Sequence, residues 1–188
     1  MNIIWKANYL WLGMLFFIAN VYSQEVGYRI SHITSDAGLS QNTVDCIFKD
    51  SRGFIWFATW NGLNRYDGYT FKVYKTGNQK YSISSNYTHS ICEDLDGNLW
   101  IGTEHGLNMF EFKTGRFFTF YNNPTDTNRL SGNNITEIAC DKKGFIWVGT
   151  YGHGLNRIEK KGKTEYIITR YKSNSTIKGC LSDNIIKM

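Results

Sequence analysis

Asp94-Leu95-Asp96-Gly97-Asn98-Leu99-Trp100-Ile101-Gly102-Thr103 is one of three versions of the same ten-residue stretch. Asp50-Ser51-Arg52-Gly53-Phe54-Ile55-Trp56-Phe57-Ala58-Thr59 precedes it, and Asp141-Lys142-Lys143-Gly144-Phe145-Ile146-Trp147-Val148-Gly149-Thr150 follows it. The shared pattern is D-x-x-G-[FN]-[IL]-W-[FIV]-[AG]-T, with the tryptophans 44 and 47 residues apart. After each copy comes a Gly-Leu-Asn, at 62–64, 106–108 and 154–156. Before each comes a second marker: Leu39-Ser40-Gln41-Asn42, Ile83-Ser84-Ser85-Asn86 and Leu130-Ser131-Gly132-Asn133. A fourth marker, Leu181-Ser182-Asp183-Asn184, begins the last eight residues.

Three linked markers recurring in one order, at a period of 40 to 50 residues of short-strand composition, indicate propeller blades. Each repeat reads as four strands. The first covers Val44–Phe48, Thr88–Cys92 or Ile135–Ala139. Asp-x-x-Gly is a hairpin turn, in which Asp caps its own backbone and Gly accepts positive φ. The second is the tryptophan strand, Phe54–Thr59, Leu99–Thr103 or Phe145–Thr150. The third starts at Leu63, Leu107 or Leu155, and the fourth is Phe71–Tyr74, Phe117–Tyr121 or Glu165–Tyr171. Alternation along the second strand turns Trp56, Trp100 and Trp147 to one face and their apolar neighbours to the other, as suits a blade packed between two others. Gly53, Gly97 and Gly144 and Thr59, Thr103 and Thr150 complete the structural repeat. The fold class expected is all-β: about three four-stranded antiparallel blades at 39–80, 83–127 and 130–178, and the start of another at 181–188.

Composition agrees with this reading. Aromatics make up 16% of the chain, with 18 glycines and a single proline, which suits pleated strands joined by tight turns. The net charge of +5 is scattered, and no basic run has the footprint of a nucleic-acid site. Residues 1–23 stand apart: Lys6, an apolar run from Ala7 to Ala19, then Val21-Tyr22-Ser23 before Gln24. That order predicts a secretory signal peptide and an exported product. The run would make a helix of about 20 Å, short of the roughly 30 Å a bilayer core requires, and no second hydrophobic span follows. The four cysteines, Cys46, Cys92, Cys140 and Cys180, fall at non-equivalent repeat positions. They are expected as single buried thiols, although an exported chain with an even count also admits disulfides.

The blocks resemble the two-component regulator propeller repeat, on Ile83-Ser84-Ser85-Asn86, Leu99-Trp100-Ile101-Gly102-Thr103 and Gly106-Leu107-Asn108-Met109-Phe110 and their counterparts. Ala58 departs from the glycine preferred at its place. The resemblance covers about residues 33–188. It implies the periplasmic part of a hybrid sensor histidine kinase that senses glycans, with the kinase outside this chain. It also implies that the propeller is completed by further blades or by a second copy.

The loops after the Gly-Thr strand carry the most varied chemistry: Trp60 and Asn61, Glu104 and His105, Tyr151 and His153. Equivalent places in the repeat put them on one face, where a rigid scaffold presents its binding loops. Aromatic faces stack on sugar rings, and Asn, Glu and His bond hydroxyls, so the expected ligand is an oligosaccharide. The rival is ordinary solvated loop residues on a propeller that only contacts other proteins. Asp94-Leu95-Asp96-Gly97-Asn98 looks like the start of a calcium loop but lacks the terminal acid, and its counterparts carry basic residues; it is a turn. His105 and His153 share a loop position without forming a ligand set. No nucleophile elbow, Walker loop or HExxH occurs, so no catalytic residue, metal or cofactor is assigned, and a propeller glycosidase or lyase is the weaker alternative.

Overall fold

Each ten-residue stretch folds as a turn running into the second strand of a four-stranded antiparallel sheet. The computed structural model describes residues 30–162, 165–174 and 180–186. The expected signal peptide lies outside them. Blade 1 contains β1 (Val44–Lys49), β2 (Ile55–Thr59), β3 (Gly62–Tyr66) and β4 (Phe71–Tyr74). Blade 2 contains β5 (Thr88–Glu93), β6 (Leu99–Thr103), β7 (Gly106–Glu111) and β8 (Arg116–Phe120). Blade 3 contains β9 (Ile135–Cys140), β10 (Ile146–Thr150), β11 (Gly154–Lys161) and β12 (Glu165–Tyr171). The all-β class and strand order are those read from the sequence, with ends displaced by a residue or so. The first strands of the blades pack against one another, β1 on β5 and β5 on β9, so they lie innermost.

The repeated Asp does more than cap a turn. Asp50 Oδ1 accepts from the Arg52 and Phe54 amides at 3.0 and 2.9 Å, and its Oδ2 accepts from the Trp56 indole at 2.7 Å. Asp94 holds the Asp96 and Asn98 amides and the Trp100 indole in the same way, at 3.0, 2.8 and 2.9 Å. Asp141 does so for Lys143, Phe145 and Trp147 at 2.9, 2.9 and 3.0 Å. One carboxylate thus closes the turn and fixes the rotamer of the tryptophan six positions on. The Asp141 carboxyl is held below the usual aspartate range, first by the Trp147 indole, against the opposing effect of burial, and then by the Phe145 and Lys143 amides.

The other markers are hydrogen-bonding parts of the same frame. Asn64 accepts from the Ser40 amide at 2.9 Å and donates to Ser40 Oγ at 2.8 Å. Asn108 repeats this with Ser84 at 3.0 and 2.7 Å, and Asn156 with Ser131 at 2.9 and 2.9 Å. The strand-end threonines close the next hairpin: Thr59, Thr103 and Thr150 donate to the carbonyls of Gly62, Gly106 and Gly154 at 2.7, 2.8 and 2.6 Å. Those glycines have φ of 112°, 109° and 86°. A Cβ at Gly154 would stand 2.3 Å from the Tyr171 carbonyl, so only glycine fits there.

The tryptophan face of one blade packs on the opposite face of the next. The Trp56 ring lies 5.7 Å from Tyr74 of its own blade and 5.6 and 5.9 Å from Phe110 and Phe112 of blade 2. Trp100 lies 5.2 Å from Phe120 and 5.6 Å from Tyr166 of blade 3. Around these rings Ile83, Leu99 and Ile101 form one inter-blade core, and Leu130, Ile135 and Val148 the other. Trp56 and Trp100 are fully buried, whereas Trp147 is only half-buried, since no described strand covers its face. The opposite end shows the same thing. Ile91 and Ile138 are each 5% exposed, while their blade 1 equivalent, Ile47, is 65% exposed.

Gly102 shows how closely the blades approach. A Cβ there would meet Ile135 Cγ2 of blade 3 at 2.9 Å. In blade 1 the equivalent residue is Ala58, and the residue matching Ile135 is Thr88, which is smaller and is bonded through Oγ1 to the Thr59 backbone. Gly102→Ala is therefore expected to destabilise the chain by about 1–3 kcal/mol through overpacking. Chemical denaturation measures this, and in an Ile135→Ala background, which lacks Cγ2, the added cost of Gly102→Ala should be smaller.

The expectation of single buried thiols is corrected for three of the four: two are bridged and Cys180 is exposed. Cys92 on β5 and Cys140 on β9 form a disulfide with Cα atoms 5.9 Å apart, joining the innermost strands of blades 2 and 3. Cys46 and Cys180 remain free. The two bridged residues are offset by one position within their repeats, and that offset brings them opposite each other across the blade boundary.

Candidate ligand-binding site

The innermost strands enter beside the loops that follow β2, β6 and β10. Each carries a β-bulge at its entrance. The pairing skips between Val44 and Cys46 and between Thr88 and Ser90, and between Ile135 and Glu137 opposite Gly149 and Thr150. The unpaired residues are Asp45, His89 and Thr136. A bulge turns one side chain out of the strand alternation. Repeated at three equivalent places, it presents these three residues at one end of the inner strands.

They line an open depression of about 380 Å³ together with Glu104, Asn134, Glu137 and Tyr151. Asp45 bonds His89 Nδ1 at 2.9 Å and accepts from the Trp60 indole at 3.0 Å to each oxygen. Trp60 is thereby fixed with about half its surface exposed, 48%, and Tyr151 shows 51%. Ser90 donates to Glu137 at 2.9 Å and accepts from the Ile138 amide at 3.1 Å, tying blade 2 to blade 3 beneath the depression. Burial pushes the Cys46 thiol up, opposed by a hydrogen bond to the Ile91 backbone and reinforced by Glu137 and Asp45. The lining holds three carboxylates, one imidazole and no Lys or Arg. It offers hydrogen-bond acceptors beside exposed ring faces.

The six residues singled out by sequence divide. Glu104 and Tyr151 line the depression, and Trp60 is bonded to it through Asp45. Asn61 turns inward to donate to the Ser40 carbonyl at 3.2 Å. His105 is exposed to solvent and bonds Thr103 only through its amide, at 3.2 Å. His153 folds back onto the Tyr151 carbonyl at 3.0 Å. Asp45, His89, Asn134, Thr136 and Glu137 are new members. Their common signal is position, one or two residues into or before the first strand of each repeat, and not residue type.

The pattern of the family described as two component regulator propeller matches at residues 38–61, 82–105 and 129–152. Each match runs from the Leu-Ser marker through the tryptophan strand into the loop bordering the depression. The three repeats are two-component regulator propeller repeats. Solved propellers of this kind are similar over most of the described chain. The extracellular domain of the hybrid two component system BT3049 from B. thetaiotaomicron superposes with a TM-score of 0.69 and 33% identity, covering 77% of this chain and 20% of that one. The extracellular domain of the one component system BT4673 from the same organism gives 0.66 and 26%, covering 88% of this chain and 21% of that one. Histidine kinase P4 of Formosa agariphila is 37% identical over 60 residues, 32% of this chain and 4% of its own length. The chain therefore spans about a fifth of the solved domains and a small fraction of the kinase.

Proposed function

We propose that this chain is a segment of a periplasmic sensor that recognises a glycan-type ligand at the depression between the inner-strand bulges, and that a histidine kinase elsewhere in the full sensor transmits the signal. The observation that carries the reading is the set of three equivalent bulges presenting Asp45, His89 and Thr136 beside the exposed faces of Trp60 and Tyr151. Carboxylates accept from sugar hydroxyls in pairs, and an indole edge tied down by Asp45 leaves its face free for the apolar side of a pyranose. Similarity to extracellular domains of signalling systems supports the location and the role.

The test is an array of neutral and charged oligosaccharides presented to the complete ectodomain that carries this segment. Saturable binding of at least one glycan is expected. Trp60→Ala should weaken it about tenfold, equivalent to ~1.4 kcal/mol, within the range of one aromatic stacking contact. An array silent for the parent, or binding unmoved by Trp60→Ala and Glu104→Ala together, would rule out this site.

A further inference from the structure

In blades 1 and 3 the outer half of the tryptophan face is filled in one way. An arginine stands across the strand pair from the tryptophan, Arg65 beside Trp56 and Arg157 beside Trp147. Its guanidinium lies over the phenylalanine two places before that tryptophan, 4.4 Å from the ring centre of Phe54 and 4.7 Å from that of Phe145. Blade 2 keeps the register and changes both partners. Met109 stands beside Trp100, and Asn98 takes the place of the phenylalanine. The next strand continues the change: Phe118 pairs with Met109, where blade 1 has Lys72 and blade 3 has Thr169.

The boundary beyond this face differs as well. Between blades 1 and 2 the Phe112 ring closes on Trp56 at 5.9 Å and is covered by Arg52 at 3.8 Å. Between blades 2 and 3 the same two repeat positions hold Lys160 and Asp96, which form an ion pair instead. The guanidinium, its phenylalanine and the covering ring are thus all replaced, and a cavity of about 320 Å³ opens between blades 2 and 3. Its apolar walls are Met109, Phe118, Phe120 and Tyr166. Tyr166 spends its hydroxyl on Met109 Sδ at 3.2 Å, and a thioether is a weak acceptor. Two solvent-reached cations, Arg129 and Lys160, complete the lining. Arg129 gives Nε to Asp126 at 3.1 Å, and its terminal N–H groups bond no acceptor among the described residues. The carboxylate in the lining, Glu111, is taken up by Thr114 at 2.6 Å.

We infer that this cavity is a second ligand site, for a small molecule with one aromatic ring and a carboxylate. Its size lies at the lower end of ligand cavities, roughly 300–1,000 Å³, which suits a single ring. Met109 sulfur and the edges of Phe120 and Tyr166 are favourable partners for that ring. The carboxylate takes the free N–H groups of Arg129, and the Tyr166 hydroxyl gains a stronger acceptor than sulfur. Charge separates this site from the depression, whose three carboxylates and absence of Lys or Arg repel such an anion. The two sites share no residue, so the failure of either leaves the other standing.

The probe is 4-hydroxybenzoate, followed by saturation transfer from the chain to the ligand. Binding should saturate with a dissociation constant of about 1 mM or below, within reach of a compact ring. The Met109 methyl resonance should shift along the same curve. 4-Hydroxybenzamide keeps the ring without the charge and should bind about tenfold more weakly. Asn98→Phe with Met109→Arg writes into blade 2 the pair that blades 1 and 3 carry, so this chain should keep its far-ultraviolet circular dichroism and lose the saturable signal. Absence of saturable binding by the unaltered chain overturns the proposal, and so does binding that survives in the folded double variant. Should the double variant not fold, Arg129→Gln decides. It should bring the acid down to the level of the amide, and an affinity for the acid that it leaves unchanged overturns the site.

Discussion

Chains carrying Trp100→Ala are expected to lose about 3–5 kcal/mol of stability, and Trp147→Ala chains clearly less. Both residues occupy the same repeat position and both indoles donate to an aspartate, Asp94 at 2.9 Å and Asp141 at 3.0 Å. They differ in what lies across the blade boundary. Trp100 is fully buried between Phe120 and Tyr166 and belongs to the core shared by blades 2 and 3, while Trp147 meets Tyr171 of its own blade at 6.0 Å and remains part-exposed. Truncating the first leaves a cavity walled by two blades; truncating the second removes a ring from a face that is already wet. A loss of this size is a large part of the roughly 5–15 kcal/mol that holds an ordinary domain together. Trp100→Phe separates packing from the hydrogen bond, since it keeps a ring but leaves Asp94 Oδ2 without the indole donor, for a cost of about 1–2 kcal/mol. Urea titration followed by far-ultraviolet circular dichroism gives all three values. Equal losses at Trp100 and Trp147 would mean that inter-blade burial does not set the stability.

The repeated residues made the architecture legible before any coordinates, because each is constrained by a bond that recurs. The Asp-to-Trp distance of six residues, the Ser marker and the buried Asn of Gly-Leu-Asn are one hydrogen-bonded frame written three times. The site was only half legible for the complementary reason. Asp45, His89 and Thr136 occupy one position but share no chemistry, and the bulge that presents them exists only in the pairing of two strands. Trp60 and Asn61 are neighbours in one exposed loop, yet one indole reaches Asp45 while the amide beside it bonds Ser40. Loop position alone could not tell them apart. The half-exposed Trp147 was invisible for a third reason: its repeat is as regular as the others, and among the described residues no further blade covers its face.

Reducing the chain is expected to lower its thermal midpoint by roughly 10 °C, and the Cys92→Ala/Cys140→Ala variant should match that midpoint with or without reductant. The bridge spans 48 residues, a loop whose closure in the unfolded chain is worth about 4 kcal/mol in the chain-entropy account. It also joins the two blades where the chain connection between them is longest, running from the end of β8 at Phe120 round to the start of β9 at Ile135. Comparing cysteines at equivalent repeat positions hides such a bond. A staple within each blade would recur, whereas one between blades needs only two residues that face each other across the boundary, here one step out of register. An oxidising compartment would allow the bridge to persist. Thiol titration of the denatured, unreduced chain should find two reactive sulfurs, from Cys46 and Cys180. Four reactive thiols in freshly exported protein, or a midpoint that reductant leaves unmoved, would remove the cross-link and return the contact between blades 2 and 3 to apolar packing and the Ser90–Glu137 bond alone.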